Sequence, residues 1–125
     1  MKLITDQQCL EYCRPGHPER PERVGETVKH LRIQQDLQID WSQPAPAGDE
    51  AILRAHSARH VARLREPRDL DADTPYFPGI LDHARRSAGG ALAALQFARA
   101  GETVFSLMRP PGHHATGSRA WDFVT

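Results

Sequence analysis

The stretch that decides the fold is ILDHARRSAGGALAALQFARAGETVFSLMRPPGHHA, residues 80–115. Leu81, Ala84, Ala88, Leu92 and Leu95 recur at three- and four-residue intervals, the spacing of one helical face, and Gly101 supplies the stop. Gly89-Gly90 lies inside this helix, where each glycine is roughly 1 kcal/mol less favourable than alanine, which points to another backbone approaching closely. TVFSLM (103–108) comes next, and its nearly continuous apolar run predicts a buried strand. A helix, a glycine, a buried strand and a Pro-Pro-Gly loop ending in His113-His114 is the layout of an α/β domain. In open α/β sheets ligands bind beyond the carboxyl ends of the strands, which is where RPPGHH falls.

Toward the amino terminus the same alternation continues. KLIT (2–5) is a short apolar run that fits an edge strand. RPGHPER (14–20) is too rich in Pro and Gly for regular structure, whereas Val24, Val28 and Leu31 predict a helix starting near Pro21. DWSQPAPAGD (40–49) reads as a loop whose Asp49 caps a helix over EAILRAH (50–56). Ser57 then caps a second short helix over ARHVARLRE (58–66), with Val61 and Leu64 as its apolar stripe. PRDLDADTPYFPG (67–79) is turn-rich and acidic, and no internal repeat is present.

At 125 residues the chain fits one domain, 1–125. Sixteen Lys and Arg balance sixteen Asp and Glu, so no basic field points to nucleic acid or to an anionic membrane. No apolar run approaches the ~20 residues of a membrane span, and MKLITDQQCL lacks the apolar core of an export signal, so a cytoplasmic location is expected. Cys9 and Cys13 lack the second pair that a zinc site needs and read as reduced thiols. His56 and His60 form H-x-x-x-H with no Glu after the first His, so they too read as ordinary residues before metal ligands.

The histidine pair is the sharpest chemical signal. A neutral imidazole with a pKa of ~6.5 accepts a proton from water near neutrality, and two at consecutive positions on a stiff loop point differently, so one acts as base while the other stabilises charge. RPPGHHA (109–115), preceded in order by GHPERPERV (16–24), AHS (55–57), DADTPYFPGI (71–80) and SAGGAL (87–92), resembles the histone deacetylase superfamily, which includes acetylpolyamine amidohydrolases and acetoin-utilisation proteins. The resemblance runs along essentially the whole chain. It implies a partial, truncated three-layer α/β/α arginase/deacetylase-like fold around a mainly parallel sheet. It implies that His114 is the general base and that His113 is its neighbour that activates the attacking water and stabilises charge. By the same resemblance Asp73 is the rim carboxylate that holds the substrate backbone. Arg23 lies at the floor of the site, Phe123 is a wall of the acyl-lysine tunnel, and Gly112 belongs to the substrate-binding loop.

The chain also departs from the family pattern. Asp122 and Val124 in AWDFVT stand where the family has Gly and Cys. The family's zinc ligands, an Asp-x-His motif and a further Asp, and its acyl-polarising Tyr lie further along the family sequence than this chain reaches. The expectation is therefore a truncated deacetylase-like domain that binds no metal of its own, needs no cofactor as this chain alone, and has no independent deacetylase activity. Two alternatives stand beside it: half of a zinc-dependent amidohydrolase completed by another chain, and a non-catalytic interaction module. KLIT and TVFSLM supply few strands for such a sheet, so Val104, Phe105, Leu107 and Met108 would face water along an unpaired edge, and a homo-oligomer is expected to cover it.

Overall fold

The computed structural model describes residues 1–71, 74–112 and 115–118. Its centre is a parallel sheet of three short strands, β1 (Lys2–Thr5), β2 (Asp40–Ser42) and β3 (Val104–Leu107), in the order β2-β1-β3. Leu3 pairs with Trp41 on one side and with Phe105 on the other, and Ile4 with Ser42 and Ser106. KLIT is therefore the central strand and not an edge. Its four residues are flanked on both sides, which takes Leu3 and Ile4 to 1% and 0% exposure.

Register partners in a parallel sheet share a face, so the pairing assigns each face a helix. Ile4 and Ser106 look toward α4 (Ile80–Arg99), where Gly90 comes so close that an added Cβ would lie 2.8 Å from Met108 Cγ and 3.0 Å from Ser106 Oγ. Leu3 and Trp41 look the opposite way, and there α1 (Glu22–Arg32) lays the Arg32 guanidinium 4.6 Å from the Trp41 ring centre. This is a helix, sheet, helix stack around a parallel sheet, the partial three-layer α/β/α arrangement that the resemblance implies. A 3-10 turn at Gln7–Leu10, started by the Asp6 carboxylate accepting from the Gln8 amide, carries the chain off β1 and buries Cys9. Cys13 is exposed, and both cysteines are free thiols.

The helix α1 begins where Pro21 predicts, with Val24 buried. The region read as a loop from Asp40 contains β2, because the Asp40–Ser42 backbone finds the edge of β1 despite its poor strand composition. Gly48, and not Asp49, occupies the cap of α2 (Asp49–Ala55); Asp49 is its first residue, and its carboxylate takes the Arg85 guanidinium of α4. The next helix, α3 (Ala58–Arg63), is capped as expected, with Ser57 Oγ accepting from the His60 amide. His56, read as the last residue of α2, is extended backbone between the two helices, so His56 and His60 do not share a helical face.

The apolar stripe of α4 is not the one its large residues suggest. Leu81 is buried, but Leu92 and Leu95 are 40% and 55% exposed, while His83, Gly89 and Gly90 are buried. Closeness of backbone approach, set by the two glycines, turns the helix so that its narrow side meets the sheet. Gly89 faces the Ala45–Ala47 backbone, whose Ala47 amide donates to the Arg85 carbonyl at 2.8 Å. Among the described residues β3 has no outer neighbour, so the strand read as buried leaves Phe105 57% exposed. No helix among the described residues is long and apolar enough to cross a membrane.

Candidate active site

The loop that follows β3 is tied down at both ends. Arg109, the first residue of RPPGHH, is 2% exposed. Its Nε and Nη2 donate to the two Glu19 carboxylate oxygens at 2.7 and 2.6 Å, a bidentate fork. Nη1 donates to the Cys9 and Tyr12 carbonyls at 2.7 and 3.2 Å, and the guanidinium sits 4.2 Å from the centre of the Tyr12 ring. Burial works against the Arg109 charge, but the Glu19 carboxylate outweighs it and holds the guanidinium above its usual pKa. Two sequence motifs about ninety residues apart, HPER and RPPG, thus meet in one buried ion pair.

Beyond Arg109, the Ser87 hydroxyl of α4 donates to the Pro110 carbonyl at 2.6 Å, and Gly112 takes φ +71°, a left-handed turn that favours glycine. On the far side of the histidines, the Thr116 carbonyl lies 2.9 Å from His56 Nδ1, and the Gly117 carbonyl accepts from the Ser57 amide at 2.8 Å. Carbonyls only accept, so His56 carries its proton on Nδ1. Both anchors flank positions 113 and 114 without including them.

Under this loop lies a cavity of about 300 Å³. Pro110, Pro111, Gly112 and Ala115 form its loop side, α4 contributes Leu81, Ala84, Ser87 and Ala88, and the α2–α3 pair contributes Ile52, His56, His60, Val61 and Leu64. The lining is mostly aliphatic. His60 is buried, and burial together with the neighbouring His56 and Arg63 charges lowers its pKa below the ordinary histidine value. It is therefore neutral near pH 7. Its Nδ1 has no hydrogen-bond partner among the described residues.

Of the residues singled out from sequence, Gly112 lines this cavity. Arg23 does not: it is exposed on the first turn of α1, with Nη1 3.5 Å from Glu19 Oε1. His113, His114, Asp73 and Phe123 lie outside the described residues. Sequence reading gave no role to Arg109, Glu19 or Tyr12. The RPPG and HPER motifs were visible, but nothing in either one shows that they pair. No cluster of three or more His, Cys, Asp or Glu among the described residues is placed to hold a metal ion.

The histone deacetylase domain model matches residues 17–124. The histone deacetylase-like amidohydrolase of Pseudomonas aeruginosa is 38% identical over 120 residues, covering 86% of this chain and 30% of that protein. A probable deacetylase of Archaeoglobus fulgidus is 36% identical over 110 residues, covering 81% of this chain and 31% of that protein. In fold, the HD domain of HDA15 superposes with a TM-score of 0.84 at 21% identity, covering 98% of this chain and 39% of that one. The chain spans about a third of the length of these curated relatives.

Proposed function

The chain belongs to the histone deacetylase family, and from that premise we propose that it carries the proton-transfer arm of a deacetylase-type amidohydrolase site without hydrolysing amides by itself. The observation that supports this reading most is the Arg109–Glu19 pair, which gives the histidine-bearing loop a fixed origin at the end of β3. On this reading His114 takes the proton of the attacking water and His113 stabilises the charge that develops on the acyl oxygen. Asp73 holds the substrate backbone, Phe123 walls the acyl chain, and Gly112 allows the loop to turn beside the acyl group. The substrate class is an acetylated lysine or polyamine, and the location is cytoplasmic.

Zinc, in a complete family site, lowers the pKa of its water to ~7 and polarises the carbonyl. The described residues do not fit it, since they bring no three donors together. A positioned base alone supplies ~10²–10⁴ in rate, short of the 10⁶-fold and more that enzymes typically supply.

Complementation tests this. The purified chain is assayed for zinc after dialysis and for acetyl-lysine hydrolysis, alone and mixed with the separately expressed remainder of the Pseudomonas aeruginosa relative's domain. The expected result is no stoichiometric zinc and no turnover alone, with turnover in the mixture that His114→Ala removes. Turnover by the chain alone, or a mixture indifferent to His114→Ala, overturns the reading.

A second reading rests on a different observation, the exposed Phe105 on a strand with no outer neighbour among the described residues. It is that another copy of the chain covers this edge as a homo-oligomer.

A further inference from the structure

Behind the α2–α3 junction lies a second, open pocket of about 530 Å³ whose lining is unlike that of the aliphatic cavity. Arg59, Arg63 and Arg68 face it, together with the hydroxyl residues Ser57 and Ser118. One carboxylate, Glu66, also lines it and is engaged with Arg68 Nε at 2.8 Å. That leaves an excess of two positive charges around the pocket, in a chain whose formal net charge is zero.

Two of these groups have unused capacity. Arg63 is held in place by donating Nη2 to the Leu70 carbonyl at 2.7 Å, yet its Nε is buried with no hydrogen-bond partner among the described residues. His60, 4% exposed, also lines this pocket, and its Nδ1 is likewise without a partner among the described residues. Neither Arg59 nor Arg63 forms an ion pair among the described residues. An unmatched buried donor such as Arg63 Nε is costly, and its satisfaction by a ligand returns that energy to binding.

We propose that this pocket binds a phosphate-class oxyanion. Guanidinium forks match a tetrahedral oxyanion with several oxygens, and two excess charges match the dianion. A carboxylate, with two oxygens and one charge, uses only part of the donor set. The wall that contains Ser118 is the segment anchored through Thr116 and Gly117 to His56 and Ser57, four residues past His114. An anion bound there braces the far anchor of the histidine loop.

Calorimetric titration of the whole chain with inorganic phosphate, against sodium chloride of matched ionic strength, tests the site. It runs in parallel with ribose 5-phosphate, and with the His60 ring resonances followed by NMR. The expected result is saturable binding at one site per chain that shifts the His60 resonances and weakens at least ten-fold in Arg59→Gln. Arg59 is exposed, so this variant keeps its fold; Arg63→Gln should weaken binding similarly, and Arg20→Gln, the same charge removed from another exposed site, should not. Tighter binding of ribose 5-phosphate identifies an organic phosphate as the ligand, and equal binding identifies free phosphate. Heat no greater than with chloride, or affinity equal in Arg59→Gln and Arg20→Gln, overturns the proposal. The titration contains no acetylated substrate, so its failure leaves the reading of His113 and His114 untouched.

Discussion

Arg109 is charged and enclosed, so its contribution depends wholly on the company it keeps. With Glu19 opposite and two carbonyls beneath, every side of the guanidinium has a partner or a ring. Removing one member of such a pair strands the other in a medium that cannot solvate it, a loss of about 3–5 kcal/mol. Glu19→Ala should therefore destabilise the chain by that amount, and Glu19→Gln by less, because the amide oxygen still accepts one bond while the charge is lost. Urea denaturation of the two variants measures both. A loss below about 1 kcal/mol for Glu19→Ala would mean that water replaces the carboxylate and that the loop is fixed by Ser87 and the α2–α3 junction instead. Histidine position, and so the proposed proton transfer, would then not depend on the HPER motif.

At the scale of the element, α4 shows how two small residues outrank two leucines, Leu92 and Leu95. A Cβ on Gly90 meets side-chain atoms only, Met108 Cγ and the Ser106 hydroxyl, which can move by a change of rotamer without shifting backbone. A Cβ on Gly89 meets the Ala45 carbonyl and the Ala47 amide, which are backbone and can move only with their loop. Alanine gains about 1 kcal/mol of helix propensity at either position, against about 1–3 kcal/mol for overpacking. Gly90→Ala should thus come out near neutral. Gly89→Ala should lose about 1–3 kcal/mol net, because the Ala47–Arg85 backbone hydrogen bond is disturbed as well. Thermal unfolding of the two variants decides it, and equal melting temperatures would show that the 44–47 loop is soft enough to yield.

For the molecule as a whole, the question is what lies against β3. The helix α1 reaches Trp41 of β2, on the face that Leu3 and Phe105 share. Phe105, on the opposite edge strand, stays exposed, and Leu92 and Leu95 of α4 are open to water as well. Unpaired apolar edges associate. On the second reading, sedimentation velocity at micromolar concentration should show a dimer or larger species, with an interface of ~2,000 Å² or more. Phe105→Asp should abolish soluble protein, since an obligate apolar interface does not survive a buried charge. A stable monomer for the parent chain would rule out the homo-oligomer.

What the sequence determined by itself is what depends on local chemistry. The α1 start at Pro21, the Ser57 cap and the close-approach glycines follow from propensities and capping within a turn or two. The family follows from motifs that stand in order along the chain, whatever the fold does with them. The tertiary structure alone decided the rest, because each of those outcomes depends on partners far away in sequence. β1 is central because both β2 and β3 pair with it, and Asp40–Ser42 is a strand only because the edge of β1 offers unpaired amides and carbonyls. The buried side of α4 was set by what the backbone can approach and not by where its leucines fall. The Arg109–Glu19 pair was not legible in either motif, since a charge becomes structural only when burial removes the water that would otherwise solvate it.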